Sequence, residues 1–214
     1  MIDYFTAHRD EILGWLGWHA RLAGLPLVLG LAIALPLGWL ARRSRWIYPP
    51  MVSAAGLLYT IPSLALFVIL PGILHTRILD PVNVVVALTV YTVALLVRVV
   101  ADGLGAVPAD VALAATAMGY RGFQRFFGVD LPIAVPVIAA GLRVAAVSNV
   151  SLVAVAATIG VPQLGQLFTT GFQLAYQVPV LDGIVLCLLL AFGFDVLILL
   201  AARLLTPWRR AVSR

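Results

Sequence analysis

The run LAGLPLVLGLAIALPLGWLA, residues 22–41, is followed at once by RRSR, residues 42–45. An uninterrupted apolar stretch of this length is what an α-helix needs to cross the hydrocarbon core of a bilayer. The arginines that follow are typical of the cytoplasmic flank of such a helix. They also stand where a signal peptide would carry its small-residue cleavage site. This run therefore predicts a retained transmembrane helix that ends in the cytoplasm.

The composition of the whole chain supports the same class. Of the 214 residues, 63% are hydrophobic and only 11% are charged. A soluble domain has about a quarter of its residues charged, because charged side chains must cover its surface. Most of the surface of this chain must therefore face something other than water, and a bilayer fits that requirement. We expect an integral membrane protein.

Four further apolar runs follow the first one along the chain. Together the five runs predict an all-α integral membrane protein that forms one transmembrane domain over residues 1–214, with spans at about 22–41, 47–70, 81–100, 132–158 and 180–205. Pro62 lies inside the second run, where it should kink the helix and free a backbone carbonyl. Two connections, about 102–131 and 159–179, are too long for simple turns, and long loops in compact proteins are usually functional or disordered.

The arginines predict the orientation of the bundle. All 14 basic residues are arginines, and eleven of them fall on one side of the predicted bundle: Arg42, Arg43, Arg45, Arg98, Arg121, Arg125, Arg143, Arg203, Arg209, Arg210 and Arg214. The other side has only Arg9, Arg21 and Arg77. By the positive-inside rule, the N-terminus lies outside and the C-terminus inside. The arginines are scattered at helix ends and form no basic stripe, so we expect no nucleic-acid partner.

Several kinds of chemical site are excluded by the residues present. Cys187 is the only cysteine, so an intrachain disulfide is impossible, and no cysteine-based metal pattern exists. The three histidines, His8, His19 and His75, lie outside the predicted spans. Neither a zinc-protease helix nor a serine-hydrolase elbow occurs, which argues against an intramembrane enzyme. We expect no catalytic residue, no metal and no cofactor in this chain.

The predicted cytoplasmic segment, about 102–131, carries a short helix over residues 107–119. Pro108 suits the first turn of a helix, and Asp110 suits the positive end of its dipole. Gly119 is a natural stop. The alanines of this helix leave so little side-chain bulk that another protein can approach it closely.

A second short helix is predicted over about 122–130, before Pro132 opens the fourth span. Its aromatic residues are spaced so that they share one face: Phe123, Phe126 and Phe127. Two interpretations of the helix pair are open from the residues alone. The pair lies on the inner leaflet with its phenylalanines in lipid, or it is a docking element that receives force from a soluble partner.

The segment resembles the cytoplasmic motif of ABC importer permeases, in which E-A-A, three residues, Gly, nine residues, an aliphatic residue, any residue and Leu-Pro follow one another. Here Leu113-Ala114-Ala115 precedes Gly119 at that spacing, and Val129-Asp130-Leu131-Pro132 completes the pattern. Leu113 replaces the acidic residue of the motif, which removes any specific polar contact from that position. The resemblance implies a fold like that of type I ABC importer permeases, with a pair of coupling helices between the third and fourth spans.

Three further segments are similar to permeases for osmoprotectants. They are YTIPSLALF at 59–67, VPVIAAGLR at 135–143 and TIGVPQLG at 158–165. The resemblance therefore covers nearly the whole chain. It implies import of a small solute, a quaternary-ammonium compound such as glycine betaine, choline or carnitine. An amino acid-like solute within the same class is the alternative.

The resemblance also implies partners and a location. Such permeases work as identical or related pairs with two cytoplasmic ATPase subunits and an extracytoplasmic substrate-binding protein, in the inner or plasma membrane of a prokaryote, surrounded by lipid. The chain has no lysine and hence no P-loop, so ATP and Mg²⁺ are expected on the partner. The residues that this implies for ATPase coupling are Asp110, Leu113, Ala114, Ala115, Met118, Gly119, Tyr120 and Arg121.

Polar residues inside the predicted spans are scarce, and we expect them to line the translocation pathway. The candidates are Tyr59, Thr60, Pro62, Ser63, Asn149 and Ser151, with Thr89 and Tyr91 as further possibilities. For each of them, a bond to the backbone of its own helix or a contact between helices is the alternative. Asp195 is an intramembrane charge whose partner is Arg143, Arg98 or the paired subunit.

The external connection contributes Gly160, Gln163 and Gly165, which we expect to form a gate or a contact with the binding protein. A re-entrant packing segment is the alternative. A channel, a secondary transporter and a non-transporting assembly subunit remain as rival functions. Secondary transporters usually show inverted repeats, and the chain shows none.

Overall fold

The computed structural model describes residues 2–44 and 46–208, and over these residues it is helical with no β-strand. Arg45, Arg209, Arg210 and Arg214, four of the arginines used to predict orientation, lie outside the described residues. The helices are α1 (Ile2–Ala7), α2 (Arg9–Arg43), α3 (Tyr48–Thr60), α4 (Ser63–Leu74), α5 (Pro81–Gly105), α6 (Ala109–Ala117), α7 (Gly122–Arg125), α8 (Leu131–Val155), α9 (Gln166–Gln173) and α10 (Gln177–Leu205). A π-helical turn (Phe126–Asp130) joins α7 to α8, and a 3₁₀ turn (Ala156–Ile159) follows α8.

Four helices within the described residues are long and apolar enough to span a membrane, and the bent pair α3–α4 makes a fifth span if it counts as one. The prediction of an all-α bundle with about five spans is therefore confirmed. We call the end of the bundle that carries α6 the coupling end. The N-out orientation stays a prediction.

The helix that carries the first predicted span extends beyond it. Helix α2 begins at Arg9 rather than near Leu22 and runs through Pro26 and Pro36 without a break. Its extra N-terminal turns include His19, which is completely buried. His19 thus lies on the helix that carries the first span and is buried in the bundle, because the polar residues before Leu22 do not end the helix. Its location outside the membrane stays a prediction.

The second span is not one kinked helix but two helices. Ile61 and Pro62 are both in extended conformation, with ψ of 130° and 131°, and α3 and α4 meet at an angle of 99°. The residue before a proline is biased away from helical geometry, and Pro62 has no N–H to donate. Two consecutive extended residues turn the chain where a single proline kink would have left it continuous.

The second short helix predicted over about 122–130 is continuous with the helix of the fourth predicted span. From Gly122 to Ile159 the chain forms one helical rod of 38 residues, with the π turn near its start. In that turn the N–H of Leu131 bonds the carbonyl of Phe126, five residues back. The turn lies just before Pro132, which cannot donate a backbone bond. The start of the fourth span near Pro132 therefore stays a prediction, since the helix is continuous through this point.

The long helices pack through small residues. A Cβ atom added to Gly30 would lie 2.4 Å from Cγ2 of Thr92, and one added to Gly38 would lie 2.6 Å from Cγ1 of Val100. These glycines let α2 approach α5 closely over more than two turns. Close approach of backbones is how membrane helices gain packing energy, since lipid is as apolar as their side chains. The result is a tight α2–α5 pair at the centre of the bundle.

Candidate coupling surface and translocation pathway

The coupling end presents the face that the sequence analysis assigned to an ATPase. Leu113 and Met118 are 70% and 71% exposed, and Ala114 beside them is exposed as well. Ala115 is only 1% exposed and points into the bundle, so it supports α6 from beneath rather than offering a contact. Asp110 and Arg121 are exposed at the ends of this surface. The outer face of α6 is therefore apolar, with little side-chain bulk at its centre.

Gly119 shapes the end of this surface. Its φ is +89°, in the left-handed region, and a Cβ atom there would meet nothing within 4 Å. The glycine is thus needed for its backbone conformation and not for space. It ends α6 as predicted. After it, Tyr120 returns to pack on the π turn, where a Cβ atom on Gly128 would lie 3.1 Å from the Tyr120 ring.

The helical rod from Gly122 to Ile159 connects the two ends of the bundle. At 1.5 Å per residue, its 38 residues span roughly 57 Å. It begins beside α6 and ends at the external connection.

The break between α3 and α4 is stabilised by tyrosines. The hydroxyl of Tyr91, on α5, donates to the carbonyl oxygen of Ile61, which the break has freed from helical bonding. Tyr59 bonds Ser148 of α8 through their hydroxyls at 2.9 Å, and its ring packs edge-on to Tyr91 at 5.7 Å. Two of the predicted pathway residues, Tyr59 and Pro62, thus meet at this break, together with Tyr91.

The other predicted pathway residues are placed differently. The hydroxyl of Thr60 donates to Leu57 O at 2.7 Å, and that of Thr89 donates to Val85 O at 2.7 Å, so both bond their own helices. Ser63 is half-buried at the start of α4, and Ser151 is exposed.

Asn149 links three helices from within the core. It is 2% exposed, and its Nδ2 donates to the Thr92 hydroxyl of α5 at 3.0 Å and to Ala23 O of α2 at 3.3 Å. These bonds use its amide donors inside the packed core. The geometry matches the alternative of an interhelical contact.

The external connection folds inward and is held by polar contacts. Gln163 is completely buried; its Oε1 accepts the N–H of Gly165 at 2.5 Å, and its Nε2 donates to Ala154 O at 3.3 Å. A Cβ atom on Gly165 would lie 2.3 Å from Ala154 O, so only glycine fits there. Gly160 is exposed, with φ of +85°. Gln163 and Gly165 pack as the re-entrant alternative describes, and their role as a gate stays a prediction.

His19 is the functional candidate that the sequence analysis missed. Its Nε2 lies 2.9 Å from Val150 O and its Nδ1 lies 3.0 Å from Gln163 Oε1. The imidazole thus joins α2, α8 and the external connection. His19 lies in the polar flank, three residues before the apolar run begins at Leu22, so a hydropathy profile does not assign it to the span. The sequence offered one indication of this role, a single histidine close enough to the first apolar run to lie on the same helix.

The intramembrane charge found in the sequence has a partner within this chain. Asp195 of α10 accepts two bonds from Arg143 of α8, at 2.5 Å from Nε and 2.9 Å from Nη2. Arg98, the second alternative, instead pairs with Asp102 of its own helix at 3.4 Å. Arg143 is therefore the partner of Asp195, and the pair joins α8 to α10. Within the described residues, no group of acidic, histidine or cysteine side chains is arranged to hold a metal ion.

Comparisons with known proteins agree with this architecture. Residues 22–211 match the family model "Binding-protein-dependent transport system inner membrane component". The osmoprotectant import permease protein OsmW of Salmonella typhimurium is 35% identical over 210 residues, covering 96% of this chain and 97% of that protein. The glycine betaine/carnitine/choline transport system permease protein OpuCB of Bacillus subtilis is 26% identical, covering 97% and 94%.

A solved structure shows the same fold. The methionine ABC transporter MetNI in an inward-facing conformation superposes with a TM-score of 0.81 at 21% identity, covering 94% of this chain and 98% of the matched one. The multi-pass helical bundle, with a short helix between its third and fourth predicted spans, is thus the fold of an ABC importer permease. The chain belongs to the family of binding-protein-dependent transport system inner membrane components and is the inner-membrane permease of an ABC importer.

Proposed function

We propose that this permease forms the translocation pathway for a quaternary-ammonium osmoprotectant such as glycine betaine, choline or carnitine. The observation that carries this proposal is the 35% identity, over nearly the full length of both chains, to a permease named for osmoprotectant import. Relatives named for glycine betaine, carnitine and choline transport support the same class. An amino acid-like solute is the alternative that the uptake experiment below separates.

The proposed assembly contains two permease copies, two cytoplasmic ATPases and an extracytoplasmic binding protein. ATP and Mg²⁺ bind the ATPases, since the chain has no lysine for a P-loop. The exposed apolar face of α6, with Leu113, Ala114 and Met118, is the proposed ATPase contact. An apolar surface of this kind suits burial against a soluble partner, because it contributes affinity without the desolvation of charged groups.

The proposed mechanism is a switch between two arrangements of the bundle. Closure of the ATPases pushes α6, and the rod that begins at Gly122 transmits the movement to the external connection. Three interactions of this rod then change together: Ser148 with Tyr59, Asn149 with Thr92, and Val150 with His19. Because these three contacts lie in a packed interior, the bundle is expected to switch between two arrangements rather than to deform gradually.

The helix break is the proposed constriction of the pathway. Tyr59 is 42% exposed beside the break, and the ring of Tyr91 packs against it edge-on. Aromatic faces attract quaternary ammonium ions through their quadrupoles, so tyrosines here suit the passage of such a cation. The high-affinity site is assigned to the binding protein, and the tyrosines at the break only pass the cation on.

The test is uptake by proteoliposomes that contain the permease with the ATPase and binding protein encoded beside it. We expect ATP-dependent accumulation of labelled glycine betaine, choline or carnitine, and competition among them. ATP-independent uptake would point to a secondary transporter or channel. ATP-dependent uptake of an amino acid that quaternary amines do not inhibit would keep the permease and reject the substrate class.

A further inference from the structure

A basic cleft of about 400 Å³ lies at the coupling end, between the end of α2 and the α7–α8 junction. It is lined by Trp39, Arg42, Arg43, Gly122, Arg125 and Asp130. Three guanidinium groups against one carboxylate leave an excess of two positive charges. Arg42 and Arg43 form no ion pair among the described residues, and the Arg43 guanidinium lies 5.6 Å from the Trp39 ring centre. The cleft is therefore suited to an anion.

The carboxylate in the cleft adds a second requirement. Asp130 is 4% exposed, and its Oδ2 accepts a bond from Arg125 at 3.3 Å. Its Oδ1 has no hydrogen-bond partner among the described residues. A buried carboxylate oxygen without a partner is costly. A ligand that satisfies it must supply a hydrogen-bond donor next to the anionic group.

An apolar groove continues directly from the cleft. It has a volume of about 320 Å³ and is lined by Ala32, Leu35, Pro36, Trp39, Phe123, Phe126 and Phe127. Trp39 lines both spaces. Residues 32, 35, 36, 39 and 43 recur at helical spacing, so cleft and groove lie along one face of α2. Leu35 also lines a second apolar groove, of about 430 Å³, between α8 and α10.

We propose that this face binds one anionic phospholipid whose headgroup carries hydroxyls, as phosphatidylglycerol does. Its phosphate lies between Arg42 and Arg43, a headgroup hydroxyl donates to Asp130 Oδ1, and an acyl chain follows Trp39 and Leu35 along the groove. A basic cleft next to an apolar groove suits a lipid better than a free anion, because a free anion would fill the cleft and leave the groove empty. Basic pockets between membrane helices are known to hold such headgroups. The lipid would contact Phe126 of the π turn and could therefore affect the position of the coupling end.

The test measures lipid binding by native mass spectrometry of the intact chain with the subunits that accompany it. The purified protein is titrated with phosphatidylglycerol and with phosphatidylcholine of the same acyl chains. We expect selective retention of phosphatidylglycerol and about fivefold weaker binding for Arg42→Gln. Arg203→Gln, which removes an exposed arginine near the end of α10, is the matched control and should bind like the wild type.

The groove is tested with a variant that leaves every charge in place. Ala32→Phe fills the groove, whereas Ile33→Phe enlarges an exposed neighbour that does not line it. We expect weaker retention only for Ala32→Phe. Equal retention of both lipids, or equal loss in Arg42→Gln and Arg203→Gln, would overturn the proposal. Displacement of the lipid by millimolar glycerol phosphate would show a small-anion site. Binding only after removal of the ATPase would show that a protein covers the cleft.

Discussion

The Nε2 atom of His19 lies 2.9 Å from the carbonyl oxygen of Val150, across the interface between α2 and α8. Its Nδ1 faces Gln163 in the external connection at 3.0 Å. A completely buried imidazole thus joins two membrane helices to the segment that caps them.

Replacing this imidazole should destabilise the protein. In His19→Ala, the buried imidazole and its bond across the α2–α8 interface are lost, which costs about 1–3 kcal/mol. The expected result is a lower melting temperature in detergent. His8→Ala is the control, because His8 is exposed and bonds only Tyr4 O of the preceding turn. Equal melting of the two variants would contradict the structural role of His19.

The tyrosines at the helix break should respond differently to loss of the hydroxyl. Tyr91→Phe leaves the freed Ile61 carbonyl without its donor at a part-buried site, so we expect a loss of stability of about 1 kcal/mol. Tyr59 is more exposed, so Tyr59→Phe should change transport rate more than stability. Thermal melting and proteoliposome uptake, measured on both variants, separate the two effects. If both lose stability equally, the break is not held mainly by Tyr91.

The apolar face of α6 should be required for the ATPase contact. Leu113→Ser and Met118→Ser each remove exposed apolar area that a partner would bury, and we expect less ATPase to co-purify. Each large apolar side chain buried at an interface contributes about 1–3 kcal/mol. Phe172→Ser, at a still more exposed apolar residue on α9 at the other end of the bundle, is the control. Loss of ATPase in all three would indicate general damage.

Gly119 should be sensitive to any side chain, however small. Gly119→Ala places a Cβ atom in the left-handed region, which costs about 1–2 kcal/mol although space is free. The end of α6 is then expected to shift, with lower ATP-coupled uptake and less ATPase bound. Gly105→Ala also has free space but an ordinary φ, and should behave like the wild type. Undiminished coupling in Gly119→Trp would reject the assignment of this turn.

The ion pair between Arg143 and Asp195 should show coupling in a double-mutant cycle. Each single alanine variant leaves one charge without its partner between α8 and α10, so each should melt at a lower temperature. The double variant should melt well above the value expected from adding the two losses. Additive losses would mean that the two charges act independently.

Much of the fold is predictable because membrane spans can be recognised as long apolar runs in the sequence. Apolar runs with arginine flanks predicted about five spans, and the spacing from Leu113 to Pro132 predicted the coupling segment. Gly119 was predicted to end α6 and does so, because backbone requirements of a turn are local. The choice of Arg143 as the partner of Asp195 was only one of three alternatives, since nothing local distinguishes them.

Other features required the tertiary structure. Pro62 predicted a kink, but a 99° break depends on Ile61 also leaving the helix and on Tyr91 being there to bond the freed carbonyl. The helix continues through Pro132 because a π turn precedes it, and a hydropathy profile does not predict such a turn.

The sequence by itself determined the class, the approximate number of spans and the end of α6, because bilayer thickness and turn geometry act on neighbouring residues. Only the tertiary structure decided which polar side chains meet. Asn149 bonds Thr92, and His19 faces Gln163, 144 positions along the chain. Such pairs are set by how helices pack in three dimensions. Buried polar groups must find partners there, since the surrounding lipid and core provide none.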